Sequence, residues 1–101
     1  MSKKRSGPEP RPAPRRYEIQ FTRTADRGLA ALPRVVLRRV DAAILALAEA
    51  PHPPGSKKLQ GEENLYRIRV GDYRVLYRVE ENRLIVLVVD VGNRRDIYRS
   101  L

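Results

Sequence analysis

The chain has 101 residues, the size of one modest domain, and carries 21 Lys and Arg against 12 Asp and Glu, a formal net charge of +9 with a pI near 10.6. That balance favours a polyanionic partner: nucleic acid, an acidic protein or an anionic membrane surface. The lack of cysteine excludes disulfides and thiolate chemistry, the single His excludes a histidine metal cluster, and no apolar run approaches the roughly 18 residues of a membrane span. The basic N-terminus has no apolar core behind it and does not read as a secretory signal, so a soluble cytoplasmic protein is expected.

Residues 1–16, MSKKRSGPEPRPAPRR, hold four of the eight prolines and six basic residues against the single acid Glu9. Such a segment has almost nothing to bury and reads as a disordered basic tail, either a solvated extension or an arm that adds nonspecific affinity for RNA. Residues 17–101 form the domain, with 15 basic and 11 acidic residues. YEIQF (17–21) alternates Tyr17, Ile19 and Phe21 with Glu18 and Gln20, the pattern of a half-buried strand. Thr22 or Thr24 then offers a helix cap, and Ala25, Leu29 and Leu32 fall on one helical stripe. Pro33 ends that helix and opens the next, over about 34–50, whose stripe is Val36, Val40, Ile44 and Leu47, widened by Leu37, Ala43 and Ala48. PHPPG (51–55) cannot continue a helix, so 51–64 reads as a loop.

Three strands follow. LYRIRV (65–70) and YRVLYRVE (73–80) flank Gly71-Asp72, a two-residue hairpin connection. RLIVLVVDV (83–91), after a turn at Glu81-Asn82, is apolar on both phases and reads as a central strand buried on both sides. The ending, GNRRDIYRSL, reads as irregular or as one short helical turn. The predicted fold is α+β: two N-terminal helices packed on one face of a small antiparallel sheet, in the order β-α-α-β-β-β, with the first strand returning to pair with the later ones.

With Gly71-Asp72 as the turn, Val70 faces Tyr73, Arg69 faces Arg74, Ile68 faces Val75 and Tyr66 faces Tyr77. Side chains alternate across a strand, so the apolar set turns to the helices and Arg67, Arg69, Arg74 and Arg78 share the other face. A slip of one residue would bury the arginines, which pins this register. Directly opposed like charges destabilise a hairpin by a few tenths to about 1 kcal/mol. Either the guanidinium groups extend into solvent, or an anion completes the face; guanidinium forks bind phosphate bidentately, so a phosphodiester backbone suits it. Past the last strand, Arg94, Arg95, Tyr98 and Arg99 reach the same face if the chain turns at Gly92. Tyr98 could stack on a base, act near the phosphate, or be a core aromatic. Ile85, Leu87, Val89 and Val91 fall on the arginine face in this reading, an apolar strip among cations that calls for a cover, from a partner or from residues 93–101.

The stretch KKLQGEENLYRIRVGDYRVLYRVEENRLIVLVVDVGNRRDIYR (57–99) resembles the RelE/ParE superfamily of toxins from type II toxin–antitoxin pairs, and the likeness extends back to Tyr17. It is carried by Lys58-Leu59-Gln60-Gly61, by the hairpin around Gly71-Asp72, and by the Val91-Gly92-Asn93-Arg94…Tyr98 ending. The RelE branch implies a metal-independent, ribosome-dependent mRNA endonuclease that cuts messenger in the ribosomal A site, beside 16S rRNA. It also implies a cognate antitoxin, which would suit the apolar strip, and a toxin–antitoxin complex able to bind operator DNA. By position, the resemblance assigns Arg67, Arg69, Arg74, Arg94 and Tyr98 to catalysis. Positions 67 and 69 are often Lys in the family; arginine neutralises phosphate but is a poor proton donor or acceptor.

Lys57, Lys58, Arg78, Arg95 and Arg99 are candidate RNA contacts. Neither cofactor nor metal is expected, because the 2′-OH of RNA is its own nucleophile. No good general base is visible: His52 lies between prolines, and Asp90 reads as the partner of a nearby arginine. Two other readings stand beside this one. One is a ParE-like inhibitor of DNA gyrase, a branch that resembles the fold but lacks most of the basic set. The other is a non-catalytic nucleic-acid-binding member of the same fold.

Overall fold

The computed structural model describes residues 16–93. In chain order the elements are β1 (Glu18–Phe21), α1 (Arg23–Ala30), α2 (Arg34–Ala46), β2 (Lys57–Lys58), β3 (Leu65–Val70), β4 (Tyr73–Glu80) and β5 (Ile85–Asn93). The strands form one sheet in the order β1-β5-β4-β3-β2, and both helices cover one of its faces.

The β3–β4 hairpin has the predicted register: Val70 opposite Tyr73, Arg69 opposite Arg74, Ile68 opposite Val75 and Tyr66 opposite Tyr77. Gly71 takes φ +62°, the left-handed residue of the turn, where a glycine carries no Cβ penalty. Val40, Ile44 and Leu47 from the second helical stripe meet Ile68, Val75, Tyr77, Val79, Val86 and Val88 in one core. Tyr77, Ile44, Leu47 and Val40 are sealed from solvent, each aliphatic contributing about 1.5–3 kcal/mol by burial.

Several expectations change in detail. β1 pairs parallel to β5, with Ile19 opposite Val86, so the sheet is mixed and not wholly antiparallel. Alternation shows that a segment is a strand but says nothing of its direction relative to a neighbour. The second helix ends at Ala46; Leu47 and Ala48 stay buried in the turn that follows, which is why the apolar stripe reads longer than the helix. The 51–64 loop contains β2, a two-residue edge strand in which Lys57 pairs with Arg67 and Lys58 with Tyr66. The last strand begins at Ile85, because Leu84 takes φ +54° in the turn, and it runs on through Gly92, which does not turn the chain.

The most consequential difference is a β-bulge. Tyr77 pairs with Val88 but Leu76 pairs with Asp90, so Val89 is an extra residue in β5. Val89 packs with Leu76 and Leu65 on the arginine face, and Asp90 lies on that face as well. Beyond the bulge the phase is reversed. Val91 therefore faces the helices, against the expectation that it would join Ile85, Leu87 and Val89.

Thr22 holds this irregularity in place. Its hydroxyl donates to the Val89 carbonyl at 2.7 Å and accepts from the Ala25 N–H at 3.0 Å, so one side chain caps α1 and satisfies the bulge. Gly28 allows α1 to lie directly on β5: a Cβ there would sit against the Val91 carbonyl oxygen, closer than side-chain atoms approach.

Candidate functional site

The face of the sheet away from the helices is organised in cross-strand rows. Lys57, Arg67, Leu76 and Asp90 form one row; Arg69, Arg74 and Gly92 form the next. Neighbouring strands lie about 4.8 Å apart, so Arg67 and Asp90 are separated by roughly 10 Å of backbone with the sealed Leu76 between them. Arg69 is exposed and Arg74 half-buried, directly opposed; Gly92 contributes no side chain beyond Arg74. Lys57, Arg67 and Arg69 open together onto a depression of about 350 Å³ whose rim is Pro54 and Gly55. The PHPPG loop thus forms a wall of the site.

Arg67 is the anomaly. It is 8% exposed, and its side chain makes no hydrogen bond or ion pair among the described residues. Buried charges are otherwise paired, since the desolvation of an unpaired ion costs several kcal/mol. Arg67 thus lies beside Lys57 and Arg69 with no counter-ion among the described residues.

The remaining candidates divide. Arg78 is on the same face, but its guanidinium donates to the Glu63 carbonyl at 2.7 Å and to Glu62 Oε1 at 3.1 Å, so it braces the 59–64 loop. Lys58 is exposed and has the opposite phase from Lys57, opposite Tyr66. Arg94, Arg95, Tyr98 and Arg99 lie outside the described residues. Asp90 Oδ1 accepts from the Val91 N–H at 2.8 Å, a contact that fixes the carboxylate at the bulge.

His52 belongs to the other side of the sheet. Its ring packs 4.7 Å from that of Tyr66, and Nε2 lies 3.2 Å from Glu81 Oε2. Tyr66 in turn stacks on Tyr77 at 5.9 Å, and the Tyr77 hydroxyl donates to the Pro51 carbonyl at 2.8 Å. Burial pushes the Tyr77 phenol up to about 12, with a hydrogen bond to Ser56 pulling the other way. This aromatic ladder anchors the proline loop whose far end borders the Arg67 depression. The sequence signal for it is present in the spacing of Tyr66, Tyr77 and the PHPPG run, but the contact joins residues too far apart in the chain to be read from pattern.

Comparison with known proteins gives one answer from three directions. Residues 19–98 match the family described as ParE toxin of type II toxin–antitoxin system, parDE. The toxin RelG of Mycobacterium tuberculosis is 34% identical over 84 residues, 82% of this chain and 97% of that protein. The toxin RelE of the same organism is 31% identical, covering 82% and 87%. Among solved structures, a RelBE toxin–antitoxin complex from M. tuberculosis superimposes with a TM-score of 0.70 at 32% identity, over 78% of this chain and 99% of that one. The archaeal RelE–RelB complex from Pyrococcus horikoshii gives 0.69 at 29%, over 77% and 94%. With the family matched across most of its length and the fold superimposing on these toxins, the chain belongs to the RelE/ParE superfamily of type II toxin–antitoxin toxins.

Proposed function

We propose that this toxin is a ribosome-dependent mRNA endonuclease, acting in the cytoplasm in the ribosomal A site and neutralised by a cognate antitoxin. The observation that carries this reading is the buried Arg67, without a side-chain partner among the described residues, in a row with Lys57 and next to the opposed pair Arg69 and Arg74. A phosphodiester placed there would lie among these cations, and guanidinium forks bind its oxygens bidentately.

In the reaction the ribose 2′-oxygen attacks the adjacent phosphorus and the P–O5′ bond breaks. The 2′-OH proton leaves to solvent or a neighbouring group, and the departing O5′ takes up a proton. The products are a 2′,3′-cyclic phosphate and a 5′-OH. No step needs a metal. The protein supplies alignment and charge. Arg67 acts from a poorly solvated position, where a fixed charge is felt more strongly than in water. Arg67 and Arg69 bind the phosphate and steady the leaving oxygen; Arg74 and Arg94 carry transition-state charge. Tyr98 stacks on the base or assists the 2′-OH. Arginines neither accept nor release protons readily, so the ribosome's shaping of the RNA sets the rate, and cleavage of free RNA is slow.

The antitoxin is expected on the same face. Leu87 and Val89, both half-buried, offer apolar surface on this face, matched by a segment combining acidic and apolar residues, while Ile85 is already buried. The solved relatives named above are toxin–antitoxin complexes, which supports such a partner here. The antitoxin complex, with its basic toxin, is also the form in which operator DNA binding is expected.

The match to the ParE description favours a second reading, inhibition of DNA gyrase without RNA cleavage. Programmed ribosomes separate the two. A defined mRNA cut only when ribosome-bound, leaving a 2′,3′-cyclic phosphate, supports the endonuclease. Intact mRNA, with plasmid DNA trapped in cleaved form by gyrase, would transfer the assignment.

A further inference from the structure

We propose that Arg39, on α2, is an additional phosphate contact that holds the RNA where it leaves the arginine face around the tip of the β3–β4 hairpin. This rests on the RNA-cleaving reading above and extends it to a residue on the other layer of the molecule.

The argument starts at Gly71. The atom nearest to the place a Cβ would occupy there is Arg39 Nη2, at 3.9 Å. The α2 guanidinium therefore lies against the hairpin turn. At about 3.3 Å per residue, Gly71 stands roughly 7 Å along the strand from Arg69, which opposes Arg74. A strand of RNA crossing the opposed pair reaches the tip within about one nucleotide. Arg39 is exposed, and it makes no hydrogen bond or ion pair among the described residues. Asp72, next to Gly71 in the turn, is exposed as well, and no salt bridge joins it to Arg39. Arg39, Arg69 and Arg74 thus bracket the tip with three cations, two on the sheet and one on the helix.

The test measures affinity of the wild-type chain, Arg39→Ala and Arg39→Lys for a 2′-O-methyl oligoribonucleotide, which cannot be cleaved, across a range of salt. Loss of one phosphate contact on a single strand lowers the log–log salt slope by about 0.7, equivalent to about fivefold weaker binding at 0.1 M salt. Arg39→Ala is expected to show both changes and Arg39→Lys to restore most of the affinity. The charge-matched control is Arg83→Ala: Arg83 is paired with Glu80 at 2.9 Å at the opposite end of β4, and its removal is expected to leave the slope unchanged. If the free oligonucleotide binds too weakly to titrate, kcat/KM on programmed ribosomes replaces it, with the same fivefold expectation. Equal slopes and affinities for Arg39→Ala and wild type, or equal loss from Arg83→Ala, overturn the contact. A wild-type chain that neither binds the RNA nor cuts mRNA on ribosomes fails at the earlier step and takes the functional reading with it.

Discussion

Replacing Arg67 with Met separates stability from function at one residue. Arg67 is 8% exposed, lies next to the sealed Leu76, and has no side-chain partner among the described residues. Its burial therefore costs desolvation with no described ion pair to offset it. Met keeps most of the length and packing of the stem while removing the charge. Replacing poorly compensated buried ions by apolar side chains of similar volume is often stabilising by about 1–4 kcal/mol; with the packing change, about 1–3 kcal/mol is expected here. For a domain of this size each kcal/mol moves Tm by about 4–8 °C, so a rise of roughly 5–20 °C is expected. Cleavage on ribosomes is expected to fall by about 10²-fold or more, the usual cost of losing one preorganised charge or donor. The assay is a thermal melt of both proteins in low-salt, non-coordinating buffer, repeated with added sulfate. Sulfate is expected to raise the Tm of wild type more than that of Arg67→Met, since an anion that binds the proposed site stabilises only the chain that keeps it. A variant destabilised by about 3 kcal/mol or more would show that Arg67 already has a counter-ion within the protein, and the reasoning would fail.

Other perturbations test the framework that holds the site. Thr22→Val removes a helix cap worth about 1 kcal/mol and the hydroxyl on the bulge carbonyl, worth about 1 more; urea midpoints are expected to show about 2 kcal/mol lost, with Thr22→Ser near wild type. A Thr22→Val change under about 0.5 kcal/mol would contradict the double role. Gly28→Ala is expected to destabilise by about 1–3 kcal/mol despite alanine's better helix propensity, because α1 must lift from the Val91 carbonyl; a more stable variant in the same measurement contradicts that close approach. The Tyr77 phenol is raised from 10.0 to about 12, so its folded form favours the protonated state. Its contribution is complete below pH 10 and is lost as pH rises toward 12; wild type is therefore expected to lose stability over that window faster than Tyr77→Phe, and parallel curves would contradict it.

Where the sequence was informative, one local rule decided the outcome. The hairpin register followed from Gly71-Asp72 and strict alternation, since a slip would have buried four arginines. A threonine cap followed from Thr22 and Thr24 just ahead of a helical stripe, and the structure selects Thr22. The failures share a cause: they depend on partners remote in the chain. The direction of β1 is set by its pairing with β5, 67 residues later (Glu18 opposite Ile85). β2 is two lysines with no apolar pattern, and only its pairing with β3 makes it a strand. The bulge at Val89 has no glycine of its own to announce it, yet it moves Asp90 and Val91 to faces opposite to those a continuous strand implies. The basic set was legible as composition and spacing, but not that one member, Arg67, is buried while its neighbour Arg69 is exposed. That contrast, invisible to alternation, is the observation on which the proposed anion site rests.

The central claim is tested most directly by primer extension on mRNA from a cell-free translation reaction supplied with this protein or with Arg74→Ala. The account predicts new 5′ ends at in-frame positions with the wild-type chain, absent without ribosomes and absent or at least about 10²-fold weaker with Arg74→Ala. Full-length mRNA in the presence of folded, growth-arresting wild-type protein, or equal cleavage by Arg74→Ala, would contradict it.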